Sequence, residues 1–327
     1  MTTCTRRVVV LDEGYGSHDI EQAILAEVGA EVVPSYCRGD AAAVGRAMAG
    51  ADAAIVRESP IDAAAIAGVG ANFKVIVRSG VGVDNIDRAA AAARRIYVAN
   101  VPDYGVDDVS DHALALLLAV ARRIPSRDRA TRQGAWNVAR AEPMYRLRGQ
   151  VLGLVGYGRI GQAFHHKAAA LGFARVLVHD PVLTAPPEGT ALVPLDQLLA
   201  EADVVSLHAP LLPATRHLLG APQLARMKPT AVLVNTSRGG LVDEAALVAA
   251  LRERRLFGAG LDVYEQEPPA RDNPLFALDN AVLTDHTAWY SEGSVVDLQR
   301  KAAEEVARVL RGELPRSWVN RWPGAAP

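Results

Sequence analysis

The decapeptide LTDHTAWYSE, Leu283 to Glu292, places a histidine three residues ahead of an aromatic pair in a chain that has only 4 Trp, 8 Tyr and 5 Phe. Imidazole titrates closer to neutrality than any other side chain. His286, following the apolar run AVLT, is therefore a candidate proton donor and acceptor. Arg238 closes another apolar run, AVLVNTS, and is followed by Gly239 and Gly240. A planar guanidinium there suits the grip of a carboxylate or keto oxygen, and the glycines let a ligand approach the main chain. A structural ion pair is the alternative reading of Arg238.

A third stretch, VLGLVGYGRIGQAF, carries G-x-G-x-x-G as Gly156, Gly158 and Gly161, with Arg159 and Ile160 between the last two. It follows an apolar strand and opens a helix, the context in which free helical N–H groups meet a pyrophosphate. Gly156 permits the tight turn, Gly158 the approach of phosphate, and Gly161 the packing of helix on strand. Nineteen residues beyond Gly161, Asp180 ends the next strand, VLVHDP. Its carboxylate suits the ribose hydroxyls and repels a 2′-phosphate, and no arginine follows closely enough to offset that. The predicted cofactor is NAD, with Thr236, beside Arg238, counted among the residues that bind it.

These residues require strands to aim them. Residues 6–100 alternate β-branched runs with Ala-rich helical stretches, and a second such series starts at Gly149. That pattern predicts βαβ units on parallel sheets. Between the two series the spacing predicts a helix over 109–123, capped by Ser110 or Asp108, then an irregular Arg-rich arm over 124–148. A last helix is expected over 293–310. The fold class is α/β with two doubly wound parallel-sheet domains. A Rossmann NAD domain, 102–288, is inserted in a flavodoxin-like substrate domain, 1–101 plus 289–327, with hinges near Pro102 and Ala288.

At 327 residues, half of them hydrophobic and 22% charged, the chain suits two globular domains. A net charge of −2 gives no field for nucleic acid or a membrane surface. Cys4 and Cys37 make no disulfide framework and have no metal-ligand spacing, and no leader sequence is evident, so a cytoplasmic protein without metal is expected. His18, His112, His165, His166, His179 and His217 have no supporting context and read as structural.

VRSGVGVDNID, SLHAPLLPATRHLL, VNTSRGGLVDEAAL, GLDVYEQEP and DHTAWYSE, in that order, resemble the D-isomer-specific 2-hydroxyacid dehydrogenases over nearly the whole chain. The first and last are most similar to the C-terminal-binding-protein branch. The resemblance implies interconversion of a 2-keto acid and a D-2-hydroxy acid by hydride transfer. Arg238 would hold the substrate, His286 would act as acid and base, and Glu267 would supply the carboxylate that favours the imidazolium, with Glu265 a surface residue. It places Asp262 at the nicotinamide carboxamide, and His208, Pro210 and Thr215 in the adenosine and ribose wall. Substrate would meet the N–H groups of Gly80, Val81 and Gly82, which can form an anion nest, with Arg78 adding charge; a plain tight turn is the alternative. Trp289 would line the pocket for an extended apolar or thioether side chain, or else pack in the core, the role expected of Tyr290. The helix and arm over 109–148 resemble a dimer-forming segment, so a homodimer is expected. One departure is Asp285, where the family has proline before the histidine. Competing readings are an NADH-sensing corepressor-like module, a 3-phosphoglycerate dehydrogenase and a glyoxylate/hydroxypyruvate reductase.

Overall fold

The computed structural model describes residues 6–12, 14–136 and 143–324. Cys4, part of the Arg-rich arm (137–142) and the last residues of the tail lie outside the described residues. Two compact units form, residues 1–105 with 291–327, and residues 106–290.

In the first unit β1 (Arg6–Leu11), β2 (Ala30–Ser35), β3 (Ala53–Val56), β4 (Val75–Arg78) and β5 (Tyr97–Asn100) make one parallel sheet in the order β2-β1-β3-β4-β5. This is the flavodoxin-like order. Its helices are α1 (Asp19–Ala26), α2 (Ala41–Met48), α3 (Ala63–Gly68) and α4 (Arg88–Ala93). Alanine favours a helix without saying where it starts, and aspartates supply the start. Asp40, Asp62 and Asp87 each accept a main-chain N–H from the first turn of α2, α3 and α4. The C-terminal helix, Glu292–Leu310, opens on a capping box between Ser291 and Ser294 and packs on α1, β3 and β4.

The second unit holds α5 (Val106–Ala121), α6 (Ile124–Arg132), β6 (Val151–Val155), α7 (Arg159–Ala168), β7 (Arg175–His179), β8 (Ala191–Leu192), α8 (Leu195–Glu201), β9 (Val204–Leu207), α9 (Ala221–Leu224), β10 (Val232–Asn235), α10 (Glu244–Arg252), β11 (Gly258–Leu261) and β12 (Ala281–Leu283). Its seven strands run parallel in the order β12-β11-β10-β9-β6-β7-β8, the doubly wound dinucleotide-binding order with an added strand. Strand alternation divides the core. Val232 and Val234 face α5 and α7, with Leu116, Leu117 and Phe164, whereas Leu233 joins Leu198, Leu247 and Leu251 on the other face.

Four expectations are corrected. The first unit extends to Gly105 and the second to Tyr290, so Trp289 and Tyr290 belong with the nucleotide unit; main-chain bonds from Thr287 and Ala288 to Asp262 tie that segment to β11. Helix α5 begins at Val106, and neither Asp108 nor Ser110 caps it: the Ser110 hydroxyl donates back to the carbonyls of Val106 and Asp107. The arm begins as a helix, α6, because Pro125 suits the first turn and Asp128 pairs with Arg132 one turn on. The C-terminal helix starts at Glu292, one residue early, behind its Ser291 cap. No helix among the described residues is long and apolar enough to cross a membrane.

Helix α5 reaches β11 closely because that strand presents glycine. A Cβ on Gly260 would stand 2.8 Å from Leu116 Cβ and 3.4 Å from the Leu116 main chain. Gly260→Ala should therefore lower stability by about 1–3 kcal/mol, measured by urea unfolding, as over-packing does. An unchanged midpoint would show that α5 shifts freely.

Candidate active site

The glycine loop is built as its spacing requires. Gly156 has φ +88°, and a Cβ there would lie 2.6 Å from the His208 carbonyl oxygen. A Cβ on Gly161 would meet the Gly156 carbonyl oxygen at 2.7 Å, whereas one on Gly158 would face open space. No side chain caps α7, so the first N–H groups of that helix, from Arg159 onward, face the same opening. Asp180 follows β7, and its two oxygens accept N–H groups of Tyr157 and Val182 at 2.9 Å each. The carboxylate thus locks the loop while standing at its rim.

Around the loop, Thr215 Oγ1 donates to the Pro210 carbonyl at 2.7 Å and accepts the Leu212 N–H at 2.7 Å, holding the 210–215 turn. The His208 ring lies under the loop, 5.1 Å from the Phe164 ring and 2.9 Å from Ser206 Oγ, and burial pushes its pKa down to about 4. The neutral ring lies beneath the loop, the main chain of His208 faces Gly156, and the ring's Nδ1 is buried without a hydrogen-bond partner. At the end of β10, Thr236 Oγ1 is buried without a hydrogen-bond partner. A backbone cradle with room at Gly158, an uncapped helix start and an orphaned hydroxyl at one sheet edge fit a dinucleotide.

Three neighbouring strand ends bring the chemical groups together. After β10, Asn235 Nδ2 donates to the Arg238 carbonyl at 2.9 Å. Gly239 is pressed so tightly on the next turn that a Cβ would lie 1.9 Å from the Tyr264 carbonyl. After β11, Glu267 Oε1 accepts the Tyr264 N–H at 2.9 Å, and Oε2 lies 2.6 Å from His286 Nδ1. Burial opposes ionisation of Glu267. The hydrogen bond and charge of His286, the Tyr264 N–H and the charge of Arg238 outweigh it and hold the carboxyl below its ordinary value. After β12, His286 takes φ +57° and donates its N–H to the Asp262 carbonyl at 2.8 Å. The imidazole is 38% exposed, so Nδ1 is anchored while the ring remains reachable. Glu265, by contrast, pairs with Arg216 at 2.8 Å and His217 at 2.6 Å on the surface.

Asp262 is fully buried. One oxygen accepts the Thr284 hydroxyl at 2.6 Å and the Thr287 N–H at 3.0 Å, and the other accepts the Ala288 N–H at 2.9 Å. A carboxamide contact would have to be made by oxygens that already hold this turn. Tyr264 braces it further, donating its hydroxyl to the Thr284 carbonyl at 3.0 Å; burial first, then the charges of Asp262, Asp285, Glu244 and Glu267, push that phenol up to about 12. His112, read as lacking context, is drawn into the network, its Nε2 2.9 Å from Thr284 Oγ1. Asp285 is exposed, with Oδ1 3.1 Å from Thr287 Oγ1. Trp289 is half-buried, its ring perpendicular to Tyr290 at 5.6 Å. Tyr290 is 52% exposed and so is no core residue; it ends the turn, past the reach of the Asp262 contacts.

In the first unit, Gly80 has φ +140° and donates its N–H to the Arg78 carbonyl at 2.9 Å, so it is not available to an anion nest. The Arg78 guanidinium folds over Gly80 and occupies the space a Cβ would need. Asn100 Nδ2 holds the Val81 carbonyl at 2.6 Å, which leaves Val81 and Gly82 as the N–H groups of the expected nest.

The second unit thus defines a nucleotide-dependent oxidoreductase domain, with a histidine–carboxylate pair and an arginine gathered at the C-terminal ends of its strands. The profile of the D-isomer specific 2-hydroxyacid dehydrogenase NAD binding domain matches residues 114–288. The chain is 44% identical over 255 residues to the glyoxylate reductase of Korarchaeum cryptofilum, covering 76% of each. It is 42% identical over 252 residues to the D-3-phosphoglycerate dehydrogenase of Methanocaldococcus jannaschii, covering 76% of this chain but 48% of that one. This chain therefore spans about half the length of that relative. A crystal structure of a protein from Thermus thermophilus superposes with a TM-score of 0.86 at 40% identity, over 96% of this chain and 99% of that one. The chain belongs to the D-isomer-specific 2-hydroxyacid dehydrogenases. It is an NAD-dependent oxidoreductase of that family.

Two outcomes follow. Because Asp180 puts a negative charge at the rim of the glycine loop, NADH should be used in strong preference to NADPH, and Asp180→Ala should narrow the gap in kcat/KM. Equal use of both by the native protein would contradict the role given to Asp180. Glu267 is held below its ordinary value, so at neutral pH a negative charge stands against the His286 ring. Glu267→Gln should move the fall of reductive turnover with rising pH to lower pH. An unmoved profile would assign that tuning to Asp285.

Proposed function

We propose that the protein reduces a 2-keto acid to a D-2-hydroxy acid with His286 as proton donor, and runs the reverse with His286 as acceptor. The observation that carries this is the 2.6 Å contact between His286 Nδ1 and Glu267, with the charge of Arg238 felt at the same carboxylate. Anchoring Nδ1 leaves the other ring nitrogen to give its proton to the alkoxide that forms at the keto carbon. Arg238 grips the substrate carboxylate or keto oxygen. In the first unit, the turn from Arg78 to Gly82 presents the Val81 and Gly82 N–H groups to a carboxylate.

NADH, when bound, supplies the hydride. The residues that would hold it are Gly156, Gly158, Arg159, Ile160 and Gly161 at the pyrophosphate, Asp180 at the ribose, the turn of Pro210 and Thr215, and Thr236, with Asp262 and His286 at the nicotinamide end.

Two substrate readings have separate support. Trp289 offers a flat apolar wall suited to an extended apolar or thioether side chain, in keeping with the similarity of VRSGVGVDNID and DHTAWYSE to the C-terminal-binding-protein branch. The names of relatives, glyoxylate reductase twice and, at 37% identity, glycerate dehydrogenase, support instead a short 2-keto acid such as glyoxylate. A pure NADH-sensing module is disfavoured because Arg238, Glu267 and His286 are gathered in one network. A homodimer is proposed through the arm, which exposes Ile124, Trp136, Met144 and Tyr145. A cytoplasmic location completes the reading.

An NADH-oxidation screen over 2-keto acids of graded length tests it. His286→Ala should cost on the order of 10²–10⁴-fold in kcat. Arg238→Ala should damage substrate binding and turnover while NADH still binds. If Trp289 is the substrate wall, Trp289→Ala should impair long substrates by roughly 10- to 200-fold and spare glyoxylate and pyruvate. Equal losses on both would make Trp289 a packing residue, and no turnover of any 2-keto acid would sink the reading.

A further inference from the structure

We infer that His112, on α5, is a positioning residue for His286, acting through the Thr284 hydroxyl and the buried Asp262 carboxylate. The inference rests on the role proposed for His286 and extends it to a residue 174 positions away in sequence.

The hydrogen-bond inventory fixes the direction of the chain of contacts. Asp262 is fully buried and, as a carboxylate, only accepts. Thr284 Oγ1 has one proton and lies 2.6 Å from Asp262 Oδ1, so that proton goes to Asp262. The 2.9 Å contact between Thr284 Oγ1 and His112 Nε2 must then be donated by His112. The same ring nitrogen lies 3.5 Å from Asp262 Oδ1, adding donor character beside a carboxylate with almost no access to water. His112 therefore sets the rotamer of Thr284, and Thr284 with the Thr287 and Ala288 N–H groups sets Asp262. These contacts bracket His286, whose left-handed φ of +57° needs its neighbours fixed on both sides. The His286 N–H bonds the carbonyl of the same Asp262 at 2.8 Å. Helix α5 is itself anchored on β10, β11 and β12, so the imidazole is delivered from a rigid element.

Three variants of the full chain test this: His112→Gln, which keeps a donor near the Nε2 position, His112→Leu, which removes it, and Thr284→Val, which removes the intermediate hydroxyl. Amide hydrogen exchange of the 284–288 segment reads the positioning without reference to any substrate. Steady-state kinetics with NADH and the best 2-keto acid of the screen read its consequence. His112→Leu should raise exchange in that segment at least 10-fold and lower kcat by roughly 10- to 100-fold, the scale of a misplaced catalytic group, with a smaller change in KM. His112→Gln should restore both. Thr284→Val should match His112→Leu, and the double variant should be no worse than either single one. Native-like exchange in His112→Leu, losses as large in His112→Gln, or additive losses in the double variant would overturn the inference. Raised exchange with native kcat would keep the contact but overturn its service to His286. If no 2-keto acid is turned over, the functional reading fails on its own, and exchange still decides whether His112 holds the turn.

Discussion

Most of the site depends on one buried carboxylate. Asp262 stands at the end of β11 with no exposed surface, and its main-chain and side-chain oxygens together bind residues 284, 286, 287 and 288. Burying a carboxylate is costly unless its lone pairs are filled, and here the turn that carries the histidine fills them. The same contacts hold His286 in a left-handed conformation that costs of order 1–3 kcal/mol for a residue other than glycine. The strain is local, and the bonds that compensate it go to the main chain and side chain of a single residue, Asp262. That arrangement fixes the ring without packing it away from solvent.

The parallel sheet explains why such different residues converge. β10, β11 and β12 are adjacent and run in the same direction, so the segments after them leave from one edge. Thr236 and Arg238 follow the first of these strands, Asp262 and Glu267 the second, and His286 the third. Gly239 lets the first turn press against the second, and a side chain there would push Arg238 away from Glu267. On the far side of the sheet centre, the glycine loop after β6 rests on the main chain of His208, which follows β9. The residues proposed for cofactor binding and acid–base work are thus set by strand order.

Features that depend on local spacing were legible in the sequence. The glycine loop, Asp180, Arg238 and His286 each sit directly after a recognisable strand, and both sheets could be expected from the alternation of runs. Glu267 was distinguished from Glu265 only by resemblance; geometry separates them, since Glu265 is drawn to Arg216 and His217. What depends on tertiary packing was not legible. His112 gains its meaning from Thr284, 172 residues away, and the His208 ring meets Phe164 at 5.1 Å under the loop. Helix α6 has no buried residue, so it lacks the apolar stripe that marks a helix in a sequence. Gly80 was expected to offer its N–H to an anion, but the tight turn it permits consumes that N–H. Asp285, which stands where the resemblance leads one to expect proline, faces solvent, and its carboxylate accepts the Thr287 hydroxyl.

The central claim is that one proton, held on His286 by Glu267, moves with the hydride. The most direct test is the pH dependence of kcat/KM measured in both directions on the same substrate pair, for the native protein and for His286→Ala. Reduction needs the protonated ring and oxidation the neutral one. Reductive kcat/KM should therefore fall with rising pH while oxidative kcat/KM rises, with one shared midpoint that vanishes in His286→Ala. Profiles that move in the same direction, or a midpoint that survives the substitution, would contradict the account.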